Sequence, residues 1–162
     1  MIGRNTEGYF TCSDDRSCLL LSTLNLLQVA YNVEKERSYV IIDRFGDLIS
    51  RDESMFSFAN PLLIPRTIEH LTEGEFRGIM VGPNARQKLK EMGQLDPDKY
   101  AQDGRVLNDS VLPCLYVLHQ NGDWHSVAVP RLEAQGFLVI NNGQKQIIPE
   151  LTGGTVFRVV RN

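Results

Sequence analysis

Cysteine is scarce in this chain. Cys12, Cys18 and Cys114 are three, an odd number, with no C-x-x-C pair among them. A disulfide framework and a compact zinc knuckle are therefore not expected, and three thiols in a reducing compartment are. Long apolar runs are missing too. Residues 111–118 are interrupted by Pro113, and the Leu-rich stretch from Cys18 by Ser22, Thr23 and Asn25, so neither is expected to span a bilayer. There is no basic excess, since 17 Lys and Arg stand against 20 Asp and Glu for a formal charge of -3, and nucleic acid is not an expected partner. Residues 78–84 carry Gly78 and Gly82 without the Lys-Ser or Lys-Thr of a phosphate loop, so no nucleotide is implied. Residues 1–7 lack the basic start and apolar core of a secretory signal. The expected location is the cytoplasm, or a target cell reached by a route without a signal.

What is present fits an ordinary folded chain: 162 residues, 42% hydrophobic and 23% charged, a size at which one domain buries roughly 70% of its unfolded surface. Without repeats, residues 1–162 read as a single domain. Residues 17–30 place Leu20, Leu24 and Leu27, and again Leu19, Leu26 and Ala30, at helical spacing on more than one face, which predicts a buried helix starting near Cys18. Ser13, Asp14, Asp15 and Ser17 are the candidate caps. Residues 38–50 read as a strand with a turn at 44–47, either a short hairpin or a strand followed by a loop. A surface helix is expected over 67–76, a further one over 84–92 closed by Gly93, and a polar surface excursion over 94–109. Strands at 112–119 and 124–129 around an Asn-Gly turn predict a hairpin, followed by a turn at 130–135 and strands at 137–140 and 155–160. The sum is an α+β domain, helical first and strand-rich last.

The chemistry centres on Cys18. At a helix start, free N–H groups and the helix dipole stabilise a thiolate. His125 opens a strand just after a turn, where its ring can project from the sheet end toward a helix terminus. The next strand ends in Asn141-Asn142-Gly143, so a carboxamide can sit beside the histidine and hold its ring. Strand register decides between Asn141 and Asn142, because adjacent residues face opposite sides of a sheet. Trp124 is a candidate substrate-binding residue, although packing on its hairpin is the stronger reading. Cys12 precedes the helix and lacks that dipole placement, Cys114 sits among Val111, Leu112, Leu115 and Val117 as a core thiol would, and His70 falls on a charged face. A metal site built from His119, His125 and a Cys matches no compact ligand spacing, so neither metal nor cofactor is expected.

The order Cys18, His125, Asn141 or Asn142, with HSVAV followed by GFLVINNG, resembles the papain-like superfamily of cysteine hydrolases. SCLLLSTLNLLQ is similar to the nucleophile helix of the Josephin-type deubiquitinases. The bacteriocin-leader peptidases share the His strand and the Asp or Asn strand, and DDRSCL resembles the opening of the ovarian-tumour deubiquitinases. The resemblance covers about sixteen residues around Cys18 and about twenty-five around His125. It implies a papain-like fold, with a central N-terminal helix packed on a C-terminal antiparallel sheet. It also implies a Cys-His-Asn triad that cleaves a peptide or isopeptide bond in a protein substrate, ubiquitin-like or other, as a compact effector or toxin would; Josephin-like and leader-peptidase-like spacing from His125 favours Asn141, and the papain-like strand end would select Asn142. One departure concerns the oxyanion. The papain and Josephin patterns place a Gln five or six residues before the nucleophile, where this chain has Ser13 and Cys12. Ser13, Asn5 or a backbone N–H of the 14–17 loop is then the candidate second donor, beside the N–H of Cys18. Two other readings stay open: a glutamine deamidase or acyl transferase using the same triad, and an inactive papain-like binding module.

Overall fold

A computed structural model of the chain describes residues 2–13, 17–51, 60–93, 95–105, 109–120 and 122–162. Its architecture is α+β. The apolar periodicity after Ser17 forms α1 (Cys18–Tyr31), in which every residue from Leu19 to Leu27 is buried. A helix apolar on several faces needs cover on all of them. A large sheet supplies one side, and the second helix, α2 (Lys35–Arg51), packs on another.

Where a short hairpin, or a strand and a loop, is expected over residues 38–50, α2 forms instead. The β-branched cluster Val40, Ile41 and Ile42 favours a strand locally. Ser38, Ile41, Phe45 and Leu48, however, are the buried set, and their spacing follows the helical period. Gly46 in a helix interior costs about 1 kcal/mol, which tertiary packing of that stripe outweighs.

The helix expected over 67–76 begins earlier and ends sooner, as α3 (Ile64–Leu71). Pro65 lies in its first turn, where a missing N–H is harmless, so this proline opens the helix. Phe76 starts strand β3 (Phe76–Gly82), which takes in both glycines of the non-phosphate segment. The next helix, α4 (Ala85–Met92), is closed by Gly93 in the left-handed conformation. The polar excursion holds a short helix, α5 (Pro97–Tyr100), and strand β4 (Ala101–Asp103).

Near the N-terminus, β1 (Ile2–Arg4) and β2 (Phe10–Cys12) form a separate hairpin. The rest of the sheet comes from β5 (Cys114–Gln120), β6 (Asp123–Glu133), β7 (Gly136–Asn141), β8 (Gln144–Ile148) and β9 (Thr155–Arg161). Its order is β4-β3-β9-β5-β6-β7-β8, antiparallel throughout except for β3 with β4. The turn expected at 130–135 is later than expected, because β6 runs on through Pro130. That proline falls in the register break between Ala128 and Arg131, where an imino residue costs no ladder bond. Asn121 and residues 14–16 lie outside the described residues.

Alternation along the strands divides the core in two. Leu115, Val117, Ala128, Ile140, Phe157 and Val159 face the helices, in one cluster with Leu20, Leu24 and Leu27. Cys114, Tyr116, Val127, Val129, Val139 and Val156 form a second cluster on the other face, with Val111 and Leu151. Among the described residues no helix is long and apolar enough to cross a membrane.

Candidate active site

Cys18 is the first residue of α1. Ser17 before it makes no side-chain capping bond, and the first turn holds no acidic residue. The N–H groups at this end are thus left for other acceptors, and the positive end of the helix dipole lies at the sulfur.

The helix start meets β6 where that strand has parted from β7 and keeps only β5 as a neighbour. Pairing with β7 extends from Glu133 to Ala128 and stops there. Beyond it Cys18 Sγ lies 3.8 Å from the Trp124 carbonyl oxygen, and the sulfur receives hydrogen bonds from the backbone N–H groups of Ser126 and Leu19. His125 stands between Trp124 and Ser126, and its ring hydrogen-bonds the thiol. The ring also meets Asn141, with Nε2 2.8 Å from its Oδ1.

Because an amide oxygen only accepts, Nε2 carries the proton in that bond. That leaves Nδ1 as the nitrogen on the thiol side, the one able to take the Cys18 proton. Burial pushes the Cys18 thiol up, but the His125 hydrogen bond, the Ser126 N–H, the charge of the His125 ring and the Leu19 N–H together bring it below the usual cysteine value. Such a site forms a thiolate and imidazolium pair more readily than a free cysteine does.

The two asparagines have separate places. Asn141 ends β7 and faces His125. Asn142 takes the left-handed conformation, φ 48°, in the tight turn to β8, and its Oδ1 accepts from the backbone N–H of Cys12 at 3.1 Å. Gly143 completes that turn with φ 82°, and a Cβ there would run into Thr11 and the Phe10 carbonyl. Asn5, read from the sequence as an oxyanion donor, is committed to the same junction. Its Nδ2 donates to the Gly143 carbonyl at 2.7 Å, and its Oδ1 accepts from the N–H groups of Glu7 and Tyr9. Ser13 is exposed at the end of β2.

Trp124 is 47% exposed, and its ring lies against His119, the cross-strand neighbour, with centroids 4.7 Å apart. Cys12 is buried in β2. Cys114 is fully buried at the start of β5, and burial pushes its thiol far up. Among the described residues no three His, Cys, Asp or Glu side chains group as metal ligands would.

Three polar residues inside the structure escaped the reading of the sequence as site residues. Asn25 on α1 clamps β2, accepting from the Phe10 N–H at 2.8 Å and donating to the Phe10 carbonyl at 3.1 Å. Ser22 and Ser126 join α1 to β6 with their hydroxyl oxygens 2.7 Å apart. The available signal was polarity out of place: Ser22 and Asn25 interrupt a run of leucines that otherwise needs no polar group.

Compared with known proteins, the chain matches no family model, no curated protein and no solved structure. The chemistry rests on the geometry itself.

Proposed function

We propose that the protein is a cysteine hydrolase with a papain-like arrangement, cleaving a peptide or isopeptide bond in a protein substrate. The observation that carries this reading is one imidazole held on both sides. Its Nε2–H goes to Asn141 at 2.8 Å, and its other nitrogen serves a thiol at a helix N-terminus.

The steps follow from that polarity. His125 takes the Cys18 proton, and the thiolate attacks the substrate carbonyl carbon. Negative charge on the carbonyl oxygen is met by the N–H groups at the start of α1, that of Cys18 foremost. His125 then gives its proton to the departing amine as the C–N bond breaks, leaving a thioester. It next draws a proton from water, whose oxygen attacks the thioester and releases the acid and the free thiol. Asn141 keeps the ring in one tautomer and one orientation throughout. With Asn5 occupied elsewhere, Ser13 and the backbone of the 14–17 loop stay as candidates for the second oxyanion donor, and the exposed Trp124, whose carbonyl lies by the sulfur, stays the candidate substrate-binding residue.

The test is a panel of electrophilic thiol probes carrying peptide or ubiquitin-like recognition elements, with fluorogenic amides of the same sequences. Wild type should be labelled at Cys18 and Cys18→Ala should not. His125→Ala should lower turnover by about 10²–10⁴-fold, the usual range for a general base. If wild type resists every probe as fully as Cys18→Ala, the hydrolase reading fails and a binding module takes its place. Ammonia released from glutamine without chain cleavage would convert it to a deamidase.

A further inference from the structure

We propose that Ser22 and Ser126 are positioning residues that together set the spacing between the Cys18 thiol and the His125 ring. This rests on the reading of Cys18 as nucleophile and His125 as base.

Ser22 lies one helical turn after Cys18, and its Oγ is 2.8 Å from the Cys18 carbonyl and 3.1 Å from that of Leu19. Carbonyls only accept, so the single Ser22 hydroxyl proton is directed at them. Toward Ser126, at 2.7 Å, Ser22 Oγ must then be the acceptor and the Ser126 hydroxyl the donor. The result is a one-way chain from the residue beside the base to the carbonyl of the nucleophile: Ser126 O–H to Ser22 O–H to Cys18 C=O. Hydrogen bonds in series polarise and tighten one another when water is excluded.

Both serines are buried, 3% and 5% exposed, among leucines, Val127 and Ala128. For packing alone an alanine pair would serve as well, since replacing both partners by apolar groups of like shape is close to neutral. The hydroxyls do something alanine would not. Ser126 also directs its backbone N–H at the Cys18 sulfur, so a shift of Ser126 moves an N–H donor and the adjoining His125 together. Thr23 supplies the contrast. It is equally buried and bonds the Leu19 carbonyl at 2.8 Å, yet among the described residues its hydroxyl makes no hydrogen bond to β6.

The test is the pH profile of Cys18 alkylation by iodoacetamide on the full chain, read by peptide mass spectrometry, with the thermal midpoint measured alongside. Ser22→Ala and Ser126→Ala should each move the midpoint up by about one pH unit, a roughly tenfold loss of thiolate on the acid side. The double variant should shift no further than the larger single, because the two hydroxyls act as one link. Ser22→Thr keeps a hydroxyl able to bond the i-4 carbonyl and should restore the wild-type profile. Thr23→Ala should lower the thermal midpoint and leave the profile in place. Single variants that keep the wild-type profile, or a double variant whose shift is the sum, would overturn the proposal while Cys18 remains the nucleophile. A wild-type Cys18 that titrates like a free cysteine would remove the nucleophile reading, and the link with it. If Ser126→Ala does not fold, Ser22→Ala against Ser22→Thr decides.

Discussion

Asn141 and Asn142 are adjacent in sequence and differ in everything that matters to the site. One faces the histidine ring, and the other caps a turn against Cys12. Their alanine variants should therefore fail in different ways. Asn141→Ala should cut turnover at least tenfold with stability nearly unchanged, because a part-buried ring loses its anchor while the core is untouched. Asn142→Ala should lose about 2 kcal/mol, from an unfavourable left-handed backbone and an N–H left without its acceptor. Urea unfolding beside turnover per folded molecule separates the two. Cys18 itself responds to pH with a definite sign. Its value is lowered in spite of burial, so alkylation should begin at lower pH than for a free cysteine. His125→Ala leaves burial less opposed, and the profile should then move to higher pH. Cys114 should resist alkylation in the native state across that range, since it is enclosed and burial favours its thiol form.

At the scale of elements, the candidate triad comes from α1, β6 and β7, and each of these is tied to another by a polar clasp. Ser22 with Ser126 joins α1 to β6. Asn25 joins α1 to β2, and Asn5 and Asn142 join the β1–β2 hairpin to the turn after β7. The small N-terminal hairpin is thus a bracket between the helix that carries Cys18 and the strand that carries Asn141. Asn25→Ala should cost about 2–3 kcal/mol, because it strips both the N–H and the carbonyl of buried Phe10 of their partners. Chemical denaturation measures the loss, and a reduced turnover per folded molecule would show that the bracket also holds the site.

Across the whole molecule, stability should follow the order of the strands. β9, β5 and the part of β6 from Ala128 onward lie inside the sheet and are covered on both faces, whereas β4 and β8 are the edges. Native-state hydrogen exchange should find the slowest amides in β9, β5 and the paired part of β6, and faster ones in β8. Exchange as slow in β8 as in β9 would contradict this ordering. Phe157 on β9 is wholly buried against the helices, and Phe157→Ala should cost about 3–5 kcal/mol by leaving a cavity.

Much of this was legible in the chain because local pattern and tertiary demand agree there. The leucines after Cys18 allow only a buried helix, and HSVAV and GFLVIN alternate or run apolar as sheet strands must. The helix start and the spacing to His125 and Asn141 followed from those same patterns. Residues 38–50 show where agreement ends. Their β-branched cluster favours a strand, and only the stripe buried beneath α2 decides for a helix. Long-range geometry settled the rest. The choice of Asn141 at the histidine needed the β6–β7 register, and the removal of Asn5 from the oxyanion candidates needed a carbonyl 138 residues away. The Ser22–Ser126 link spans 104 residues. Periodicity reports which face of an element is apolar. It carries no information about which polar atoms meet once faces are packed, and at this site those meetings determine which nitrogen can take the proton.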